Sequence, residues 1–525
     1  MPIDESQGWH PGHSPWTVAL TVTIATFMEV MDTSIANVSL PHIAGGLSAG
    51  VDESTWILTS YLVSNAIVLP ISAWLSNRFG RKRFYMTSVA IFTVSSLLCG
   101  LAPSLSLLIF FRILQGVGGG GLGPSEQAIL TDTFPAAKRG MAFAVYGMAV
   151  VLAPAIGPTL GGWITDQYSW RWIFFINVPF GILSLFLTNH MVQDPPDMER
   201  AKQDAKKAPV DFLGLVLIAT GLGAFQIMLD KGQRDDWFAS PFITACVIVT
   251  VGALGAFVIW EWNHRHPIVE LGLLKNRSFA VACMLMLVTF AVMLGSTLLI
   301  PQFAQLELGY TARQAGELLS PGGFTILILM PMIGYLVSRV DARYLIGIGY
   351  LIFAASLFHM TNLYLGVDFR TAVMWRVYQA AGMAFLFVPT NTIAYTDMTP
   401  GASNQVSALT NLMRNMGGSV GISAVTTLLA RRQQTHQVFL VRNVTSADPH
   451  LKQMLTQFAN RFSLRTDSHH AMQQAYGAIY RQVQSQAAVL AYIDVITIMG
   501  ALCLAAILLL FFAKKSKPGQ AAVAH

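Results

Sequence analysis

Runs of apolar residues, each about 20 long and so able to cross a hydrocarbon layer about 30 Å thick as a helix, recur from Trp16 to near the C-terminus with short polar breaks between them. The breaks predict fourteen spans, beginning near Trp16, Ser54, Phe84, Leu105, Met141, Trp172, Asp211, Pro241, Ser278, Ala312, Tyr344, Thr371, Asn404 and Ala491. An even number puts both termini on one side. The loops and tail of that side hold eighteen Lys and Arg, the densest group being Arg78, Arg81, Lys82 and Arg83, against five (Arg171, Lys231, Arg234, Arg313 and Arg370) in the short loops opposite. Basic residues collect on the cytoplasmic side, so both termini are expected there.

One connection is not short. Residues 431–486 are polar and lie on the predicted outer side, yet Leu451, Met454, Leu455, Phe458 and Phe462 have helix-like spacing, as do Ala475, Ile479 and Val483. The segment reads either as a solvated hairpin or as a docking surface for a periplasmic or extracellular partner.

The chain also echoes itself, as expected of a transporter built from duplicated halves. The stretch Ala73 to Lys82 is matched 261 residues later by Gly334 to Arg343, Arg112 and Gln115 are matched after 264 by Arg376 and Gln379, and Pro124 and Pro135 after 265 by Pro389 and Pro400. The expected architecture is an all-α membrane protein with a six-helix bundle in 1–192, a linker and two inserted spans in 193–277, and a second six-helix bundle in 278–525 carrying the external segment 431–486.

Composition narrows the function. With 525 residues, 54% hydrophobic and 11% charged, the chain is not a soluble globular protein. Its net charge of +6 follows the loop bias and gives no reason to expect nucleic acid. The first fourteen residues carry Asp4 and Glu5 but no Lys or Arg, so the first span is expected to act as an uncleaved signal anchor. Cys99, Cys246, Cys283 and Cys503 all lie in apolar runs, which points to packing rather than to disulfides or metal ligation. Neither His264 and His266 nor His469 and His470 has the neighbours of a metal set, so neither metal nor cofactor is expected. Gly116, Gly118, Gly119, Gly120, Gly121 and Gly123 crowd one span without the Lys-Ser/Thr of a phosphate loop, and read as close helix packing.

A charge near the bilayer centre costs about 2.5–3.5 kcal/mol on insertion scales, so each intramembrane ion needs a reason. Those ions are Glu29, Asp32, Arg112, Glu126, Arg376 and Arg414. Glu29 and Asp32 share a helix face. Asp32 and Arg112 both fall roughly 10–14 Å from the outer face at 1.5 Å per residue, and are expected to meet, while Glu126 falls roughly 20 Å deeper. A carboxylate whose proton affinity responds to burial and to a nearby cation suits proton coupling, and the competing reading is a permanent ion pair that holds two helices. The second half has no acid between Ser278 and Ile300 to meet Arg376. Arg376 and Arg414 are expected either to satisfy carbonyls or to bind anionic groups of a substrate.

These residues resemble the major facilitator superfamily, and within it the fourteen-span drug:proton antiporters of the EmrB/QacA type. The resemblance rests on Asp32-Thr33 through Asn37 to Pro41 in the first span, the loop motif Ala73 to Lys82, the fourth-span motif Arg112 to Gly118, and the antiporter motif Gly157-Pro158-Thr159-Leu160-Gly161-Gly162. It implies two six-helix bundles plus two inserted helices, and multidrug efflux across the bacterial inner membrane by alternating access, driven by the proton gradient. It also implies a partnership with a periplasmic adaptor (a membrane fusion protein) and an outer-membrane channel. On this reading Asp32, Arg112, Glu126 and Glu29 couple protons. Glu29, Asn37, Gln115, Arg376, Asn391, Asn411 and Arg414 line the substrate cavity. Asn77, Arg78, Gly80, Arg81 and Asp132 form a gating loop, and Pro154, Gly157, Pro158, Gly161 and Gly162 kink the fifth span against leak. Two departures stand out: Ala73 replaces the usual Gly, and Asn77 replaces the usual Asp. The other readings are a carrier, outward or inward, of one metabolite, and a membrane-embedded enzyme. No Ser/His/Asp grouping at one depth supports the enzyme.

Overall fold

The computed structural model describes residues 12–195, 202–203, 209–396, 398, 402–444, 449–464 and 466–514, so most of the linker, Pro400, Lys515 and Lys517 lie outside the described residues, as does the side chain of Pro158. The described chain is helical: α1 Pro15–Gly46, α2 Trp56–Phe79, α3 Arg81–Leu101, α4 Leu105–Gly119, α5 Leu122–Thr133, α6 Ala136–Gln167, α7 Asn177–Met191, α8 Phe212–Lys231, α9 Pro241–Asn263, α10 Arg277–Leu306, α11 Ala312–Leu336, α12 Ala342–Met360, α13 Phe369–Ala394, α14 Ser403–Asn443, α15 Pro449–Phe462 and α16 Ser468–Ile507. It is a multi-pass membrane protein. Among the described residues twelve helical units are long and apolar enough to cross a bilayer, and up to thirteen if the two arms of α6, bent by 46° between Pro154 and Thr159, count as one span. The expected span near Asn404 is α14, which is 41 residues long and too polar to be among them.

Two expectations change in detail. The span from Leu105 is broken at Gly120 and Gly121 into α4 and α5. This glycine-rich stretch presses into α2 and α3, and a Cβ at Gly118 would stand 2.6 Å from the Phe92 nitrogen. The described residues of 431–486 are mostly helical, because α14 and α16 run on through their polar ends without a Gly or Pro that would stop a helix at Arg431 or start one at Ala491. Between them α15 lays Leu451, Met454, Leu455, Phe458 and Phe462 onto Ala475 and Ile479 of α16. The amphipathic spacing found in the sequence is the seam of this helical hairpin. Asp494, close to where the hairpin joins the bundle, accepts from His436 at 2.8 Å and pairs with Arg432 at 3.7 Å, tying α14 to α16.

Residues of the first half pack on the second along two seams, α6 on α11 and α2 with α5 on α14. The first seam depends on small residues: a Cβ at Gly140 would meet Val337 and the Gly334 carbonyl, and one at Gly334 would meet Ala144. Helices α8 and α9 pack on each other, and α8 lies against α2 and α14 beside the second seam, where Ser419 donates to Gln226 at 2.9 Å.

Candidate functional site

Helices α1, α4 and α7 meet at Asp32, which is 3% exposed. Arg112 of α4 donates Nη1 to Asp32 Oδ2 at 2.6 Å, while Gln115 Nε2 and Asn177 Nδ2 donate to Asp32 Oδ1 at 3.0 and 2.7 Å. Arg112 also donates Nη1 to Gln115 Oε1 at 2.7 Å and Nε to the Ile57 carbonyl at 3.1 Å, and its guanidinium lies 4.3 Å from the centre of the Tyr61 ring. Asn177 is fixed in turn by donating to Ser96 at 3.0 Å. Depth counting along the helices places Asp32 and Arg112 together, and they meet. Asn177, Ser96 and Tyr61 were missed, because one polar residue in an apolar span has no periodic signal.

Glu29, one turn earlier on α1, is half-buried and accepts from Asn65 at 3.0 Å and from the Tyr61 hydroxyl at 3.3 Å. Tyr61 thus touches both the Glu29 carboxylate and the Arg112 guanidinium. Glu126 on α5 is fully buried and accepts from Thr23 at 2.7 Å through Oε1, whereas Oε2 has no protein partner. Asn37 is exposed and stands apart from these groups.

The second half rebuilds part of this arrangement. Arg376 of α13 donates Nη1 to Thr297 at 3.0 Å and also reaches Gln379 Oε1. Arg414 of α14 donates to the Tyr146 hydroxyl across the halves, with its guanidinium 5.6 Å from the Phe290 ring centre. Asn391 and Asn411 are buried and meet Gln127 of α5, Asn411 donating at 2.7 Å and Asn391 accepting at 3.3 Å.

The expected gating residues gather at the end of the bundle that carries the basic loop. Gly80 has φ 92°, a conformation that strains any side chain, and it turns the chain from α2 into α3. Arg81 is 1% exposed, pairs with Asp132 at 2.5 Å and donates to the Ala128 carbonyl at 3.0 Å and to Ser403 of the second half at 3.2 Å. Asn404 donates to Asn77 across the same seam, and Arg78 stacks over Trp74 with 5.5 Å to the ring centre. In the repeated loop Arg343 takes its acid from its own turn, Asp341, at 2.9 Å.

At the antiporter motif the glycines have different duties. A Cβ on Gly157 would meet Ser34 at 2.5 Å and one on Gly161 would meet Ile35 at 2.8 Å, so both let α6 close on α1; Gly162 faces open space. Ser34 also donates to the Pro154 carbonyl at 3.4 Å.

The profile of the Major Facilitator Superfamily matches residues 22–422. The chain is 38% identical to the fatty acid resistance protein FarB of Neisseria gonorrhoeae over 82% of its own length and 83% of the relative's. It is 34% identical to the multidrug export protein EmrB of Escherichia coli (strain K12) over 95% of both. Among solved structures, the human organic anion transporter MFSD10 (TETRAN) superposes with a TM-score of 0.59 at 12% identity, covering 95% of this chain and all of the other, a likeness of fold alone.

Proposed function

The chain belongs to the Major Facilitator Superfamily, and on that premise we propose that it exports chemically unlike amphipathic molecules by proton antiport, as the inner-membrane pump of a tripartite system. It is a secondary active transporter rather than an enzyme. The reading is carried by the Asp32 carboxylate, buried against Arg112, Gln115 and Asn177 where lipid-facing helices have no use for charge. Protonating Asp32 leaves Arg112 buried without its counter-charge. Losing one partner of such a pair costs about 3–5 kcal/mol unless the surroundings move, which gives a proton the means to bias one arrangement of the halves over another. Glu29, half-buried beside Tyr61 and Asn65, faces the substrate, and Glu126, deeper in the bundle, hands protons toward the other side.

The positive-inside bias puts the Asn77–Arg83 loop and both termini in the cytoplasm. The polar α14 is the fourteenth span, accompanied by α8 and α9 as the inserted pair. The contacts of Asn77, Arg81, Asp132, Gln127 and Tyr146 with α13 and α14 then close the cytoplasmic end, and the conformation is outward-facing. The hairpin of α14, α15 and α16 projects outward as the docking element for a periplasmic adaptor that leads to an outer-membrane channel. Support comes from relatives named for multidrug export and fatty acid resistance that match more than four-fifths of both chains.

The test is proton release from energised inverted vesicles on adding cationic, neutral and anionic amphiphiles. Proton movement with several classes, and competition among them, is expected. No proton movement with any class ends the antiport reading, and competition confined to one compound type replaces it with a single-metabolite carrier.

A further inference from the structure

The coordinating residues of the first half have equivalents in the second at nearly constant offset. Arg112 and Gln115 correspond to Arg376 and Gln379, each 264 residues later, and Asp32 corresponds to Thr297, 265 residues later. The contacts repeat as well, since both arginines bind the Gln one turn on and the side chain at the Asp32 or Thr297 position. The carbonyl that takes the arginine Nε in the first half is missing, and so is the carboxylate.

Its absence leaves an unusual group. Arg376 is 2% exposed, and among the described residues no carboxylate lies within ion-pair distance of it. Its Nε and the Gln379 Nε2 have no hydrogen-bond partner. Arg112 also leaves one nitrogen, Nη2, without a partner, so the orphaned atoms are not by themselves the difference. What differs is charge: an isolated buried cation costs several kcal/mol, and the first half offsets that cost with Asp32 while the second offers only hydroxyl and amide oxygens. The Gln379 amide sharpens the point. In the first half, Gln115 Nε2 donates to the Asp32 carboxylate, and Gln379 Nε2 has no acceptor. On one side Gly322 of α11 brings its backbone against Arg376, where a Cβ would stand 2.8 Å from Cγ, so that side is closed. Thr297 on α10 is half-buried.

We infer that Arg376, Gln379 and Thr297 form a receptor for the carboxylate of an anionic amphipathic substrate, which takes in the second half the place that Asp32 fills in the first. This deepens the export reading and rests on it. The guanidinium supplies charge-assisted bonds, the Gln379 amide a second donor and the Thr297 hydroxyl a third. Neutral and cationic substrates bind elsewhere in the cavity without this contact.

The test is equilibrium binding to the purified full chain in nanodiscs without a proton gradient, using decanoate, decanol and decyltrimethylammonium as chain-matched probes. Wild-type protein is expected to prefer decanoate over decanol. Arg376→Gln should lower decanoate affinity about tenfold or more, the scale of a charged hydrogen bond, and leave decyltrimethylammonium binding unchanged. Retained cation binding shows the variant folded. If Arg376→Gln fails to fold, Arg376→Lys and Gln379→Ala decide instead: the first keeps the preference and the second weakens decanoate alone. Decanoate binding that ignores all of these substitutions overturns the receptor, as does displacement of decanoate by millimolar chloride, which makes it a site for inorganic anions. Failure of wild-type protein to bind any of the three probes counts against the export reading itself.

Discussion

The two halves hold the same triad in opposite states of charge balance. In the first, Asp32 closes on Arg112 at 2.6 Å with Gln115 and Asn177 completing its shell, and the arginine is neutralised from within the protein. In the second, Arg376 reaches Thr297 and Gln379, and among the described residues no acid pairs with it. The scaffold occurs twice, and on the proposed reading the difference between Asp32 and Thr297 separates two tasks. On the proposed reading the neutralised pair is the one that answers a proton, because protonation would break it. The unbalanced cation has no further proton to take up and, on the same reading, answers an anion brought from outside.

The largest expected effect comes from making the first half resemble the second. Asp32→Asn keeps size and hydrogen bonding but cannot titrate, so proton-driven export should fall to background in inverted vesicles while substrate still binds in nanodiscs. Export that keeps its normal dependence on the proton gradient would move the coupling role to Glu126, and then to Glu29. The reverse exchange comes next. Thr297→Asp places a carboxylate beside Arg376, so the preference for decanoate over decanol should shrink from about tenfold toward parity, with the cationic probe unaffected. A preference that survives would break the comparison at its centre.

Much of this contrast was legible before any coordinates, and the reasons are physical. Intramembrane charges are costly enough to be few, and the fixed helical rise turns residue number into depth, so Asp32 and Arg112 are paired by arithmetic. The repeat then points to Arg376 and to its missing acid. Asn177 was not legible: it lies on α7, far from Asp32 in sequence, and a buried amide is too common in helix packing to stand out. Gln127 escaped for the same reason, although it bridges to Asn391 and Asn411 across the halves. The extent of α14 and α16 escaped because hydropathy reports where lipid ends, whereas a helix continues until its backbone is interrupted.

The hairpin offers a smaller effect that separates transport from assembly. Leu455→Asp puts a charge into the seam between α15 and α16, where Leu455 packs on Ala475 and Ile479. Exposing a leucine of this kind forfeits about 1.5–3 kcal/mol, enough to free α15. Hydrogen exchange across 449–462 should rise tenfold or more and whole-cell resistance should fall several-fold, with transport by inverted vesicles unchanged. Loss of vesicle transport would show that the hairpin belongs to the transport cycle, and both halves would then have to be compared with it included.

The smallest effect is expected where the two repeated loops differ. The first loop pairs Arg81 with Asp132 of its own half and also sends it across to Ser403 of the other, while the second keeps Arg343 on Asp341 within one turn. Asn77, which stands where related loops carry Asp, meets Asn404 amide to amide. Asn77→Asp would turn that contact into a charged hydrogen bond, stronger by about 1 kcal/mol when buried and by less here because Asn77 is only half-buried. Holding the closed end more tightly shifts the equilibrium between closed and open by at most about fivefold. Turnover should therefore slow about two- to fivefold, with probe affinities unchanged. The double variant Asn77→Asp with Asn404→Ala should restore the rate if the gain passes through Asn404. A rate that stays slow in the double variant would assign the effect to Arg78 and Arg81 on the same loop, and a single variant as fast as wild type would leave the contacts of Arg81 and Asp132 with Ser403 as this loop's hold on the other half.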